Sequence, residues 1–210
     1  MSTNLDHLIP LEIHSLLNCD LIDVKILLQG HVARDQWPNV TVCVNNVVVY
    51  NSAVIGLQEI SYQTQADQLT KTCTVNITYH SKQNNDTVVD SNGVIVENQF
   101  VEIAELWLNG VDIVANGMIH QNIGQYTMQL DQHKQQYFAE HNISTVPTTS
   151  TRMFENGVWN IELDLPILSA LTAKHNFVES WEDVNGAELV DQVFELFNAC
   201  RALEKKQYDR

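Results

Sequence analysis

The sequence predicts a mainly β protein: an antiparallel, jelly-roll-like β-sandwich with short helices and a C-terminal amphipathic helix. Several runs alternate apolar and polar residues with a period of two, as strands with one buried face do. Five of the eight glycines follow an asparagine, and Asn-Gly suits the tight turn that joins antiparallel strands. Strands do not alternate regularly with helices, which disfavours a parallel α/β sheet.

Three regions are expected along the chain. Residues 1–23 are predicted to form an N-terminal arm or short capping helix, residues 24–180 the β-sandwich domain, and residues 181–210 the C-terminal helix. A length of 210 residues suits one domain with appendages, since domains average about 150 residues.

The strand patterns begin at Val24 and recur up to Pro166, which ends the last of them. Asn45-Asn46 is predicted to be a two-residue hairpin turn, and Asn109-Gly110 another. The polar segment 81–90 predicts a loop. The predicted strands are residues 24–29, 40–44, 47–50, 73–80, a start at 94–96, then 100–108, 111–114, 126–130 and 158–165.

Helices are predicted at three places. Residues 132–141 form one with Asp131 as a possible cap, and residues 167–174 a short one. The strongest pattern follows a cap at 185–188, where apolar residues recur at spacings of three and four over about five turns. This stripe packs on its own sandwich or docks on a neighbouring subunit, and both remain open. Its candidate partner-binding residues are Val190, Phe194, Phe197 and Leu203.

Charge and composition exclude several classes of function. The 26 acidic and 11 basic residues give a net charge of −15, which repels nucleic acid and disfavours a polybasic membrane surface. The sequence contains no run of 18 apolar residues, so no membrane-spanning helix is predicted. The polar surface is instead rich in amides, with 20 Asn and 16 Gln.

No constellation of residues predicts catalysis, so the chain is not expected to be an enzyme. Glu102 and Glu105 differ in parity along one predicted strand, which should place them on opposite faces, unable to flank one glycosidic bond. The eight histidines show neither an HExxH motif nor a close His-x-His pair, so no metal site is predicted. Catalytic residues, metal ligands and cofactors are therefore expected to be absent.

Residues 24–114 resemble carbohydrate-binding modules of the small calcium-dependent xylan-binding type. The segments that carry the resemblance are VKILLQGH, WPNVTVCVNNVVV, CTVNITYHSKQNNDTVVD and VEIAELWLNGVDI. A later segment, MFENGVWNIELDLPI, resembles virion-associated proteins of tailed bacteriophages that carry such sandwiches. The resemblance implies binding or assembly on a virion, in a protein made in the host cytoplasm.

Calcium is the one cofactor that the resemblance implies. Asp86, Asp90 and Asn92 offer oxygen ligands, but the EF-hand spacing fails because Val88 stands at position one and Gln99 at position twelve. A different calcium geometry remains open. The alternative is an acidic turn whose side chains bind the local backbone.

Two functions follow as hypotheses. The leading one is a non-enzymatic virion structural or assembly protein that binds other virion proteins or copies of itself. The alternative is a glycan-binding module for surface or receptor adhesion, with Trp37 as the aromatic residue that stacks on a sugar. Trp107 and Trp159 lie in predicted strands and are expected in the core.

Overall fold

The computed structural model describes residues 21–65, 72–115 and 123–165, together with residues 167, 170 and 171. Most of the predicted arm lies outside these residues. So do the predicted C-terminal helix and its four candidate contacts, Val190, Phe194, Phe197 and Leu203, and all of these stay predictions.

Strands dominate the described part of the chain. Besides residues 167, 170 and 171, which are helical, one helix is described there with its bounds. The helix is α1 (Gln132–Glu140). The strands are β1 (Leu21–His31), β2 (Asn39–Val44), β3 (Val47–Ala53), β4 (Leu57–Gln65), β5 (Thr72–Tyr79), β6 (Thr87–Val89), β7 (Ile95–Asn98), β8 (Phe100–Leu108), β9 (Val111–Asp112), β10 (Gly124–Met128), β11 (Arg152–Met153) and β12 (Gly157–Asp164).

These strands form an antiparallel β-sandwich, which confirms the predicted fold class. One sheet has the order β11-β8-β1-β4, with β9 beside β8, and the other has the order β10-β12-β5-β2-β3. Strands β6 and β7 form a separate two-stranded hairpin. Every strand pair whose register is described is antiparallel.

Two compact units divide the chain. The larger consists of Val24–Tyr62 and Thr74–Glu162, and all of the site described below belongs to it. The described residues of the other unit are 21–23, 63–65, 72–73, 163–165, 167, 170 and 171. Among the described residues, no helix has the length and hydropathy needed to cross a bilayer.

The core of the larger unit follows the period of two that the sequence shows. Alternate residues of β2 and β5 are buried, as are those of β12. The buried side chains include Val42, Ile77, Tyr79 and Trp159, all fully inaccessible. Because burying a large apolar side chain contributes roughly 1.5–3 kcal/mol, this alternation sets the register of the strands.

Two predicted turns are confirmed by their backbone angles. Asn45 and Asn46 have φ values of 48° and 64°, and Asn109 and Gly110 have 47° and 81°. Positive φ at both central residues is what a type I′ hairpin turn requires. Asn156-Gly157 is another of the five Asn-Gly pairs, but it forms no such turn, because Gly157 is buried within β12.

The helix prediction for residues 132–141 is also confirmed. Asp131 is the N-cap of α1, and its carboxylate accepts a hydrogen bond from Lys134 N at 2.8 Å. The bond satisfies a backbone donor that the first turn of a helix otherwise leaves free.

Two expectations about the strands are wrong. The segment 81–90 is not wholly a loop, because its last part forms β6. Glu102 and Glu105 do not lie on opposite faces either. A β-bulge leaves Ala104 without a partner, since Ile103 pairs with Leu28 and Glu105 with Leu27. The extra residue reverses the parity and puts both glutamates on the half-buried face of β8.

Candidate functional site: a pocket around Trp37

A tight turn after β1 places Trp37. Arg34 and Asp35 have φ values of 49° and 59°, a region that side chains other than glycine seldom adopt. Two backbone hydrogen bonds close the turn, from Ala33 N to Gln36 O at 3.3 Å and from Gln36 N to Ala33 O at 2.9 Å. Trp37 follows this turn and is half-buried.

The segment after β5 forms the opposite wall. Near its start, Ser81 Oγ accepts a hydrogen bond from Asn39 N at 2.8 Å. Further on, Asp86 closes a turn, because its Oδ2 accepts from Gln83 N at 2.8 Å and its own N–H donates to Gln83 O at 3.1 Å. These bonds fix the wall without help from a ligand.

Gln99 joins the two walls. Its side chain is only 1% exposed. The Nε2 group donates to Gln36 O at 2.8 Å, and Oε1 accepts from the hydroxyl of Tyr79 at 2.8 Å. The backbone N–H of Gln99 donates to Asp86 O at 2.9 Å. Gln99 is therefore a structural residue whose hydrogen-bonding groups are used within the protein.

Lys82 is buried beside Gln99 and is hydrogen-bonded to it. It is 6% exposed, and its Nζ donates to Gln99 O at 2.9 Å. Burial lowers the pKa of Lys82 to about 8, while the negative charges of Glu155 and Asp86 oppose this shift. Asn156 accepts from Lys82 N at 2.8 Å and donates to Lys82 O at 2.9 Å, so the lysine backbone is held as well.

Together these segments enclose a pocket of about 410 Å³. Trp37 provides its aromatic wall, Asp86 its single carboxylate and Arg34 its single formal positive charge. The side chain of Arg34 is exposed, and Asp86 is 6% exposed. Amides supply much of the remaining wall: Gln36, Gln83 and Asn85.

Asp86 is the most unusual group in this pocket. A carboxylate so far buried is ordinarily paired or saturated with hydrogen bonds. Here Oδ2 accepts the Gln83 N–H, whereas Oδ1 has no hydrogen-bond or ion-pair partner among the described residues. Oδ1 is thus free to accept a hydrogen bond from water or from a ligand.

The groups that line this pocket can form stacking contacts and hydrogen bonds. The indole offers a flat apolar face, the amides offer paired donors and acceptors, and Asp86 offers a charged acceptor. In the described part of the chain, no group of three or more His, Cys, Asp or Glu side chains is placed to hold a metal ion.

Glu102 and Glu105, which the sequence predicted on opposite faces of a strand, each accept a hydrogen bond from a side chain on a strand. Glu102 Oε1 accepts from Arg152 Nε at 3.1 Å, and Glu105 Oε2 accepts from Trp107 Nε1 at 3.1 Å. Trp107 is half-buried rather than in the core, whereas Trp159 is fully buried as expected.

The sequence pointed to Trp37 but not to the rest of the site. From the sequence, Asp86 is only a candidate oxygen ligand beside Asp90 and Asn92. Asp90 instead forms the acidic turn that was the alternative: its Oδ1 accepts from Asn92 N at 2.8 Å and from Val94 N at 2.9 Å.

Comparison with known proteins identifies no family. No protein-family model and no curated protein matches the sequence. A solved structure of vCBM60, from work on calcium-dependent carbohydrate-binding modules, shares 11% identity over 67% of this chain and 89% of that chain, with a TM-score of 0.39. The structure of vCBM60 with galactobiose shares 12% identity over 66% and 96%, with a TM-score of 0.35. Neither is described as a virion protein, and the likeness is too low to bear on function.

Proposed function

We propose that this chain is a non-catalytic glycan-binding module whose binding site is the pocket around Trp37. One observation carries the proposal: an indole and a buried carboxylate with a free oxygen share a pocket whose walls are rich in amides.

A saccharide matches these groups one by one. The C–H face of a sugar ring is apolar and stacks on the indole of Trp37. Sugar hydroxyls donate to Asp86 Oδ1 and exchange hydrogen bonds with the amides of Gln83 and Asn85. The pocket volume, about 410 Å³, lies within the range of about 300–1,000 Å³ that is usual for small-molecule sites.

Calcium does not fit the described pocket. The ion takes about six to eight oxygen ligands, several of them carboxylates, and Asp86 is the one carboxylate among the residues that line the pocket. We therefore propose binding that needs no metal. A chelator added to the binding assay tests this point, and loss of binding in EDTA that calcium restores would contradict it.

A glycan array followed by calorimetry on the best ligand tests the function. Trp37→Ala should weaken binding at least tenfold, because the stacking face is lost. Trp107→Ala is the matched control, since it removes a half-buried tryptophan outside the pocket and should leave affinity within about twofold. The proposal fails if no glycan binds, or if both variants bind as the wild type does.

The absence of catalysis is tested in the same samples. Incubation with the bound oligosaccharide should release no new reducing ends. Release that survives further purification, and is lost in Glu102→Gln or Asp86→Asn, would make the chain a hydrolase.

A second candidate function is self-assembly or docking on other virion proteins, as the terminal stripe suggests. The observation that favours it is the edge strand β3, in which Val47 and Val48 are 48% and 58% exposed. The residues of β3 carry no charge and include no proline, two features that often protect a sheet edge. Light scattering over a wide concentration range decides this: a constant monomer mass excludes self-assembly. The virion setting and host-cytoplasmic synthesis stay predictions.

A further inference from the structure

Asp86 bears directly on which saccharides the pocket accepts. The residue as a whole is only 6% exposed, yet it lines the pocket. Protein surrounds most of this side chain, and a nearby opposite charge favours the ionised form of a carboxylate. Oδ1 is the position that such a charge can approach, because Oδ2 already accepts the Gln83 N–H.

The positive charges near Asp86 do not satisfy that oxygen. Lys82 interacts with Asp86 electrostatically, but its Nζ donates to Gln99 O and to Asn98 Oδ1 instead. Arg34 lines the pocket with an exposed side chain, whose charge is screened by water. Its backbone N–H donates to Glu97 Oε2 at 2.9 Å, which brings a second carboxylate to the Arg34 turn.

Resting on the proposed function, we infer that the pocket selects saccharides bearing a protonated amino group, with Asp86 Oδ1 as the ammonium acceptor. An ammonium bound there gains a charge-assisted hydrogen bond, which is about twice as strong as a neutral one. The face of Trp37 in the same pocket adds a cation–π contact when the ammonium lies within about 6 Å of the ring. The net charge of −15 attracts cationic chains and repels those that carry carboxylates.

Three matched oligosaccharides test this inference by calorimetry on the full chain at about pH 6, below the usual pKa of an amine. They are a fully deacetylated chito-oligomer, its fully acetylated counterpart and a uronic-acid oligomer of equal length. The deacetylated oligomer should bind at least tenfold more tightly than the acetylated one. The uronic-acid oligomer should bind most weakly.

Asp86→Asn should reduce the preference for the deacetylated oligomer to about twofold or less, because the amide keeps an acceptor but loses the charge. Asp90→Asn is the control, since it removes the same charge from an exposed turn outside the pocket and should leave the preference intact. Circular dichroism and thermal unfolding confirm that both variants fold; if Asp86→Asn does not, Asp86→Ser takes its place.

The outcomes separate the two proposals. Equal binding of the acetylated and deacetylated oligomers, or tighter binding of the uronic-acid oligomer, overturns the charge selectivity but leaves glycan binding standing. A preference that Asp86→Asn retains, or that Asp90→Asn abolishes equally, shows that net charge rather than Asp86 is responsible. If neither these oligomers nor any array glycan binds, the proposed function itself fails.

Discussion

Gln99 donates a hydrogen bond from Nε2 to the backbone oxygen of Gln36 at 2.8 Å, which ties the residue before β8 to the turn that carries Trp37. The two residues are 63 positions apart in sequence. The position of the indole therefore depends on a buried amide in a distant segment, and this dependence can be tested.

Gln99→Ala should destabilise the fold by about 2–4 kcal/mol, because it opens a small cavity and removes the main acceptor of the buried Tyr79 hydroxyl. Urea unfolding measures the loss. Ligand affinity should fall too, since Trp37 is no longer fixed. Gln125→Ala, on the exposed face of β10, is the control and should stay within about 0.5 kcal/mol of the wild type. Equal stability of the two variants would show that Gln99 does not hold the walls together.

Because of Lys82, the free energy of unfolding should rise with pH just above neutrality. Its pKa is lowered from 10.5 to about 8 in the folded chain, so the unfolded chain binds more protons in the interval between them. Stability then increases with pH. Between about pH 8 and 9 the gain should be about 1 kcal/mol, as one pKa unit corresponds to about 1.4 kcal/mol.

At higher pH the buried thiol and phenols oppose this gain. Burial raises the pKa of Cys73 from 9.0 to about 12 and also raises the pKa of Tyr79 and Tyr126. The folded chain therefore holds these protons to higher pH than the unfolded chain, and stability falls progressively as pH rises above the unfolded values, near 9 and 10. Urea unfolding of the wild type and Lys82→Met from about pH 7.5 to 9 checks the prediction. The variant should lack the rise, and identical slopes would mean that Lys82 titrates normally.

The sheets were predictable from the sequence where strands have one buried face. For β5 and β12 the alternation of buried residues is complete. Strand β4 was not predicted, because Ile60 is its one buried residue and an edge strand shows little periodicity. The bulge in β8 was not predicted, because the one unpaired residue, Ala104, has no distinctive sequence pattern. It nevertheless reverses the face on which every later residue of the strand lies.

The site was predictable only in part for a similar reason. Trp37 stood out because a large aromatic residue in a polar loop is uncommon. Gln99 gains its role from hydrogen bonds to segments distant in sequence, which no local pattern encodes. Asp86 becomes part of the pocket because one of those bonds joins its turn to Gln99.

The hairpin turn between β2 and β3 yields a prediction that separates its two asparagines. Asn45 Oδ1 accepts a hydrogen bond from Thr74 N at 2.8 Å, so Asn45→Ala loses this bond and also places alanine at a φ of 48°. The free energy of unfolding should fall by about 2 kcal/mol. Asn46→Gly should change stability by no more than about 0.5 kcal/mol, because glycine adopts positive φ freely. Thermal unfolding compares them, and equal losses would show that the side chain of Asn45 has no special part.

Gly157 tests whether this position lies in a strand, as the structure shows, or in the turn that an Asn-Gly pair predicts. It was expected in an Asn-Gly turn but is buried within β12, where an added Cβ would lie 2.4 Å from Thr127 O and 2.7 Å from the ring of Tyr126. Gly157→Ala should therefore cost about 3 kcal/mol, because the contact with Thr127 is with backbone that cannot move freely. Gly56→Ala is the matched control: its φ is 63° and nothing lies within 4 Å of the added Cβ, so backbone strain alone should cost about 1 kcal/mol. Denaturant unfolding of both variants measures the difference, and a smaller loss for Gly157→Ala than for Gly56→Ala would mean that Gly157 occupies a turn after all.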